Sequence, residues 1–227
     1  MSTLLLRLAA PLQAWGVDSK FDTRMTGREP SKSGVIGMLA AALGVRRDDT
    51  QALQELSRLC FGVRVEREGR LLNDFHMAHA ANTSYVTHRY YLSNAVFLCG
   101  LESADRQLLE RCADALTHPA YPLFLGRRSC PPTLPLVLGI RDGSLLEVLK
   151  AEPCLIEAEK QEPLRIVYET EPTDKAAALI RDVPESFSPY RREYGYRKIR
   201  EEIAGRQTEH DAFAGLEAEN VSDTNGA

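Results

Sequence analysis

Residues 35–43 of this 227-residue chain read Val-Ile-Gly-Met-Leu-Ala-Ala-Ala-Leu and are apolar on every face of a helix. A helix without a polar stripe is covered on most of its sides. The chain must therefore wrap structure around this segment, and Gly34, Gly37 and the three alanines permit close backbone approach. Ser33 is the expected N-cap and Gly44 the expected stop, which sets a helix from Ser33 through Leu43.

The flanking patterns supply the layers. Residues 3–9 form a compact apolar run with one charge and read as a buried strand. Residues 13–33 lack helical or strand periodicity and predict a long loop, which in a folded domain is usually functional. Asp48 and Asp49 open a second helix to about Leu59. Residues 61–67 alternate as a strand, Glu68-Gly69 turns it, and a second strand runs from Leu71 to about His76. Residues 91–101 read as one core strand and 105–117 as an amphipathic helix; short strands are expected near 154–157 and 164–168. The order strand, helix, strand, strand, helix, strand predicts an α+β, ferredoxin-like (RRM-like) βαββαβ core. It occupies residues 1–143, with an insertion at about 77–90. A small C-terminal extension follows over 144–203. Residues 204–227, acidic and poor in large apolar side chains, predict a disordered tail.

Hydrophobic residues make up 44% of the chain and no apolar run approaches the ~20 residues that cross a bilayer, so a membrane role is not expected. The cysteines (Cys60, Cys99, Cys112, Cys130 and Cys154) are scattered, without a C-x-x-C pair, as in a cytoplasmic protein with reduced thiols. The net charge of −4 argues at first against a nucleic-acid partner. Residues 1–150, however, hold 18 Lys and Arg against 15 Asp and Glu, and residues 151–227 hold 10 against 17. A mildly basic body with an acidic end still permits a local positive groove.

The segments with chemical potential are few. Residues 23–34 (T-R-M-T-G-R-E-P-S-K-S-G) place Arg24, Arg28, Lys32 and four hydroxyls at or before a helix N-terminus, whose free N–H groups and dipole attract phosphate. Ser31, Ser33 and Gly34 allow close approach to the backbone. A Walker A loop is excluded, because Ser31 stands where the glycine before the lysine is required. In residues 124–132 (F-L-G-R-R-S-C-P-P), adjacent Arg127 and Arg128 point different ways, so that one reaches outward and the other pairs internally. His76 and His79 have metal-ligand spacing for a helix, but only Asp74 complements them; neither a metal site nor a cofactor is expected. Tyr85, His88, Arg89 and Tyr90 suit base stacking and phosphate contact. Residues 190–200 (Y-R-R-E-Y-G-Y-R-K-I-R) suit RNA or an acidic protein. Trp15 reads as a loop anchor on the core.

Residues 5–16 (L-L-R-L-A-A-P-L-Q-A-W-G), 23–44, Arg47-Asp48-Asp49 and 125–131 (L-G-R-R-S-C-P), in this order, resemble the CasD subunits of type I-E CRISPR Cascade, in the RAMP superfamily. The resemblance spans residues 4–140. It implies a ferredoxin-like fold with an inserted thumb and a non-catalytic ribonucleoprotein subunit in antiviral defence. Such a subunit binds the 5′ handle of CRISPR RNA, touches the backbone subunit CasC and the large subunit CasA, and meets target DNA only through the complex. Carried over by position, the RNA groove comprises Arg24, Gly27, Arg28, Ser31, Lys32, Ser33 and Gly34, with Arg127, Arg128 and Ser129 nearby. The thumb, about 77–90 with flanks, holds His76, Tyr85, His88, Arg89 and Tyr90. No residue is assigned to catalysis. The alternative is a metal-independent endoribonuclease that processes precursor CRISPR RNA with the thumb histidines, as in a related subtype.

Overall fold

The computed structural model describes residues 1–16, 23–80, 83–156 and 163–205. In chain order its elements are β1 (Ser2–Ala9), β2 (Leu12–Gln13), β3 (Thr23–Arg24), α1 (Lys32–Ala42), α2 (Thr50–Ser57), β4 (Cys60–Arg67), β5 (Arg70–Ala80) and β6 (Thr83–Ser93). They continue with β7 (Val96–Ser103), α3 (Arg106–Thr117), β8 (Val137–Asp142), α4 (Leu145–Ala151), β9 (Leu164–Thr170), β10 (Ala178–Phe187) and β11 (Arg192–Ala204).

The apolar helix is α1, and its N-cap is Ser31 rather than Ser33: the Gly34 N–H donates to Ser31 Oγ at 3.3 Å. Pro30 precedes this cap, and Gly44 leaves the helix at φ +72°. Val35, Ile36 and Leu39 are fully buried. Asp49 and Asp105 cap α2 and α3, so both starts fall where the acidic N-cap signals place them.

A seven-stranded sheet in the order β10-β11-β9-β4-β7-β1-β8 forms the frame, with every neighbouring pair antiparallel. Leu4, Leu6 and Leu8 of β1 join the core under α1–α3, whereas Leu5 joins the one under α4. Both faces of this strand are covered, which is why its sequence is continuous in leucine instead of alternating. Arg64 and Glu66 break that pattern in β4. They are buried as an ion pair, and Arg64 also donates to the carbonyls of Leu149, Glu152 and Pro153 at the end of α4.

Several expected boundaries change. Residues 91–101 are two strands, because Asn94 turns the chain at φ +57° and separates β6 from β7. The strand expected to stop near His76 continues to Ala80 and pairs with β6 from Arg70↔Ser93 to Ala80↔Thr83. Cys154, Leu155 and Ile156 are not in a strand, and Glu157 lies outside the described residues. The 144–203 segment supplies α4, which seals the second sheet face, and β9, which pairs with β4. Ala204 closes β11, and the tail expected over 204–227 otherwise lies outside the described residues from 206 onward.

Candidate nucleic-acid interface

The loop before α1 and the C-terminal hairpin β10–β11 face each other across a cleft of about 660 Å³. Arg28, Ser31 and Ser33 line one wall; Arg192, Tyr194 and Arg197 line the other; Phe61, Val63 and Val167 lie between them. An adjoining hollow of about 280 Å³ adds Arg24, Gly34, Gly126 and Arg127. The arrangement offers helix N–H groups, hydroxyls, cations and an apolar floor, which together suit a nucleotide: phosphate at the rim and base within.

Alternation alone would put Tyr194 and Arg197, three residues apart, on opposite faces of β11. Both nonetheless line the cleft, and the register shift between Arg181 and Val183 places its extra residue, Asp182, on β10, so that Ile180, Arg181 and Asp182 line it in succession. The hairpin is also locked from below. Arg197, buried with its partner, donates through Nε to Asp182 Oδ1 at 2.6 Å and through Nη2 to Oδ2 at 2.9 Å. The same carboxylate accepts the Lys32 backbone N–H at 2.8 Å. The Arg197 guanidinium lies 5.0 Å from the Phe61 ring centroid, and its Nη1 has no hydrogen-bond partner among the described residues.

Lys32 therefore occupies a different place from the one its position in the loop suggests. Its side chain is 3% exposed and its ammonium sits 2.7 Å from Glu169, so it anchors α1 to β9 instead of facing a phosphate. Arg28 is exposed and meets Glu68 at 2.8 Å, a surface pair that a phosphate can displace at little cost. Arg24 and Arg192 are exposed, and the described residues supply no ion-pair partner to either. Gly27 donates its N–H to the Trp15 carbonyl at 2.6 Å.

Gly34 is needed by the protein itself. A Cβ there would stand 2.9 Å from the Trp15 ring, which is buried and donates to Gln13 Oε1 at 3.1 Å. Trp15 is thus the anchor its position suggests. Gly126 has φ +86°, and a Cβ would fall 1.6 Å from the Ala14 carbonyl oxygen; only glycine fits. This close approach presses residues 125–130 against the strand region after β2 and aims Arg127 inward. Arg127 Nη2 donates to the Arg24 carbonyl at 2.9 Å, and its guanidinium stacks 4.5 Å from the Tyr91 ring centroid. Arg128 and Ser129 remain exposed.

The residues expected in a thumb lie on the β5–β6 hairpin, and none of them lines the cleft or the adjoining hollow. His76 and His79 are on a strand, where a spacing of three sends side chains to opposite faces, so the helical metal-ligand spacing does not apply. His88 packs edge-on against Phe75 with ring centroids 5.0 Å apart, and His79 contacts Ser84 at 2.8 Å. Arg89 pairs in register with Arg24 of β3 and with Asp74 of β5. Tyr85 is exposed and Tyr90 half-buried. Phe75 and Met77, at 67% and 55% exposure, make the hairpin an apolar projection.

Among the described residues, no group of three His, Cys, Asp or Glu side chains converges as a metal site, and no helix is long and apolar enough to cross a membrane. All five cysteines are free. Burial, with Glu169 beside it, lifts the Cys60 thiol to about 12, and burial lifts Cys112 to about 11, so neither is a thiolate at neutral pH. Sequence reasoning placed Arg192, Tyr194 and Arg197 in a basic, tyrosine-rich run but did not join that run to the α1 loop. The clustering of cations and tyrosines over residues 190–200 is the available signal; the pairing that carries β11 back beside β9 is not visible in it.

A family model described as CRISPR-associated protein (Cas_Cas5) matches residues 3–200. The CRISPR system Cascade subunit CasD of Escherichia coli (strain K12) is 40% identical over 163 residues, which cover 63% of this chain and 73% of the relative. A solved structure described as a CRISPR RNA-guided surveillance complex contains a chain of similar fold, with a TM-score of 0.75 and 33% identity over 95% of this chain and 98% of its own. A second, described as a crystal structure of a Cas protein, has a TM-score of 0.72 and 39% identity over 90% of this chain and 95% of its own.

Proposed function

Because the chain belongs to the CRISPR-associated Cas5 family, within the RAMP superfamily, we propose that it is a non-catalytic Cascade subunit whose cleft grips the 5′ handle of CRISPR RNA and so caps one end of the complex. The observation that carries this reading is the convergence of exposed Arg24, Arg28 and Arg192 on the hydroxyl-lined N-terminus of α1, across an apolar floor. Exposed cations and helix N–H groups take phosphate without sequence preference, and the floor takes a base. The similarity to CasD and to a chain of a surveillance complex supports the same role.

The reading extends to the partners. The β5–β6 hairpin is the thumb, and its exposed Leu71, Phe75 and Met77 are the surface for the backbone subunit CasC, with the large subunit CasA seated nearby. Target DNA is met through the complex, by pairing with the guide. The strand order β4-β7-β1-β8, with α1 and α2 between β1 and β4 and α3 between β7 and β8, supports a ferredoxin-like label for the core. Residues 1–143 then form the RAMP domain and 144–203 its extension; the free thiols accord with a cytoplasmic location.

The test is assembly of the complex with Arg24→Glu and Arg192→Glu, followed by measurement of RNA retention against salt. Each lost phosphate contact lowers the single-strand salt slope by about 0.7. Complexes that keep their guide RNA as well as the unmodified chain at raised salt would overturn the cleft assignment.

A further inference from the structure

The reverse face of the C-terminal strands presents a second surface, which borders the cleft at Arg181. Arg197 and Ile199 of β11 line the cleft, so Tyr196, Lys198 and Arg200 alternate to the other side of the sheet. That side is covered by α4 over β4, β7, β1 and β9; of β10 and β11, only Ala204 at the end of β11 packs against that core. Tyr196 and Leu179 are each 63% exposed there. They stand on neighbouring strands, with Tyr196 opposite Arg181 and Leu179 opposite Lys198.

The charge on this face is one-sided. Its acids are already engaged: Asp174 is paired with Arg200, and Glu202 accepts from Tyr168 Oη at 2.7 Å and meets Lys150 at 2.6 Å. The cations beside Tyr196 are not neutralised. Lys198 Nζ donates to the Asp174 carbonyl, an uncharged acceptor, at 2.6 Å. Arg181 donates to the Tyr194 carbonyl at 3.0 Å, and its guanidinium lies 5.8 Å from the Tyr196 ring centroid. Glu185, beside Gly195, is the flanking acid at the outer end of the hairpin.

We propose that this open face binds a single-stranded nucleic acid, with a base stacked on Tyr196 against Leu179 and phosphates held by Arg181 and Lys198. An aromatic ring on an open sheet face flanked by cations is what an unpaired base and its phosphates require, and every base offers a π face. An acidic protein segment matches the cations but leaves the ring and Leu179 without a flat apolar partner. Arg181 stands at the border and also lines the cleft, whereas Tyr196, Leu179 and Lys198 do not, so the chain holds a second strand-binding site beside the first.

The probe is a thiouridine-substituted octauridylate, titrated into the full chain at low salt, photo-crosslinked, and mapped by peptide mass. The expected result is two octamers per chain, with crosslinks on residues 178–181 and 196–200 as well as in the cleft. Tyr196→Ala weakens one site by about tenfold and removes the crosslinks on that face. Lys198→Glu weakens the same site, and both variants keep the cleft crosslinks. Arg192→Glu has the reverse pattern. A single octamer bound only in the cleft overturns the proposal and leaves the cleft reading intact. Octamer binding confined to the reverse face overturns the cleft reading instead. Affinity and crosslinks unchanged in folded Tyr196→Ala and Lys198→Glu also reject the site, as does a hexaglutamate peptide that occupies the face when the octamer does not.

Discussion

The β5–β6 and β10–β11 hairpins are both long and antiparallel, yet only one of them stays in the main sheet. β5–β6 pairs in unbroken register and leaves Leu71, Phe75, Met77 and Tyr85 more than half exposed. β10–β11 has register shifts at two points and buries Asp182 and Arg197 between itself and α1. Apolar content does not decide the difference, since the projecting hairpin is the one that exposes more of it. A buried ion pair whose carboxylate also accepts the Lys32 N–H holds the second hairpin against α1. The first is left as an exposed apolar arm.

Breaking the lock should have the largest effect. Arg197→Ala leaves the Asp182 carboxylate buried beside a single backbone donor and should destabilise the fold by about 3–5 kcal/mol, read by urea unfolding. A loss below about 1 kcal/mol would mean that the pair does not hold the hairpin. Asp174 sets a smaller and pH-dependent effect on the same hairpin. Its hydrogen bonds from Arg200, above all, hold its carboxyl down at about 2, against an ordinary value of 3.8. A depressed carboxylate contributes stability that is present above its unfolded pKa and is lost as pH falls toward its folded one. The thermal midpoint of the chain should therefore fall between about pH 4 and pH 2, and Asp174→Asn should remove that part of the fall. The smallest effect on folding belongs to the arm. Phe75→Ser combined with Met77→Ser should change stability by no more than about 0.5 kcal/mol and yet weaken joining to the neighbouring subunit, measured by co-purification. A large loss of stability would show that the arm packs on its own chain.

Much of the frame was legible. Continuous leucine in β1, the apolar α1 and the acidic caps of α2 and α3 are local signals, and the structure keeps each element within a few residues of its expected place. Strands beyond residue 160 were fainter, since β10 and β11 bury only part of one face and read as charged alternation. In the candidate site, the sequence placed Arg24, Arg28 and Ser31 near a helix start but treated Lys32 as equivalent to them. Burial separates it: nothing in residues 23–34 shows that Glu169, far along the chain, waits beneath its ammonium.

Local chemistry thus determined α1, α2 and α3 but not α4, and showed that a loop rich in hydroxyls and cations precedes a buried helix. Tertiary structure decided which of those cations face a ligand. The charge of a lysine is the same wherever it sits, but its availability depends on partners brought from β9 and β10, and long-range pairing alone supplies them.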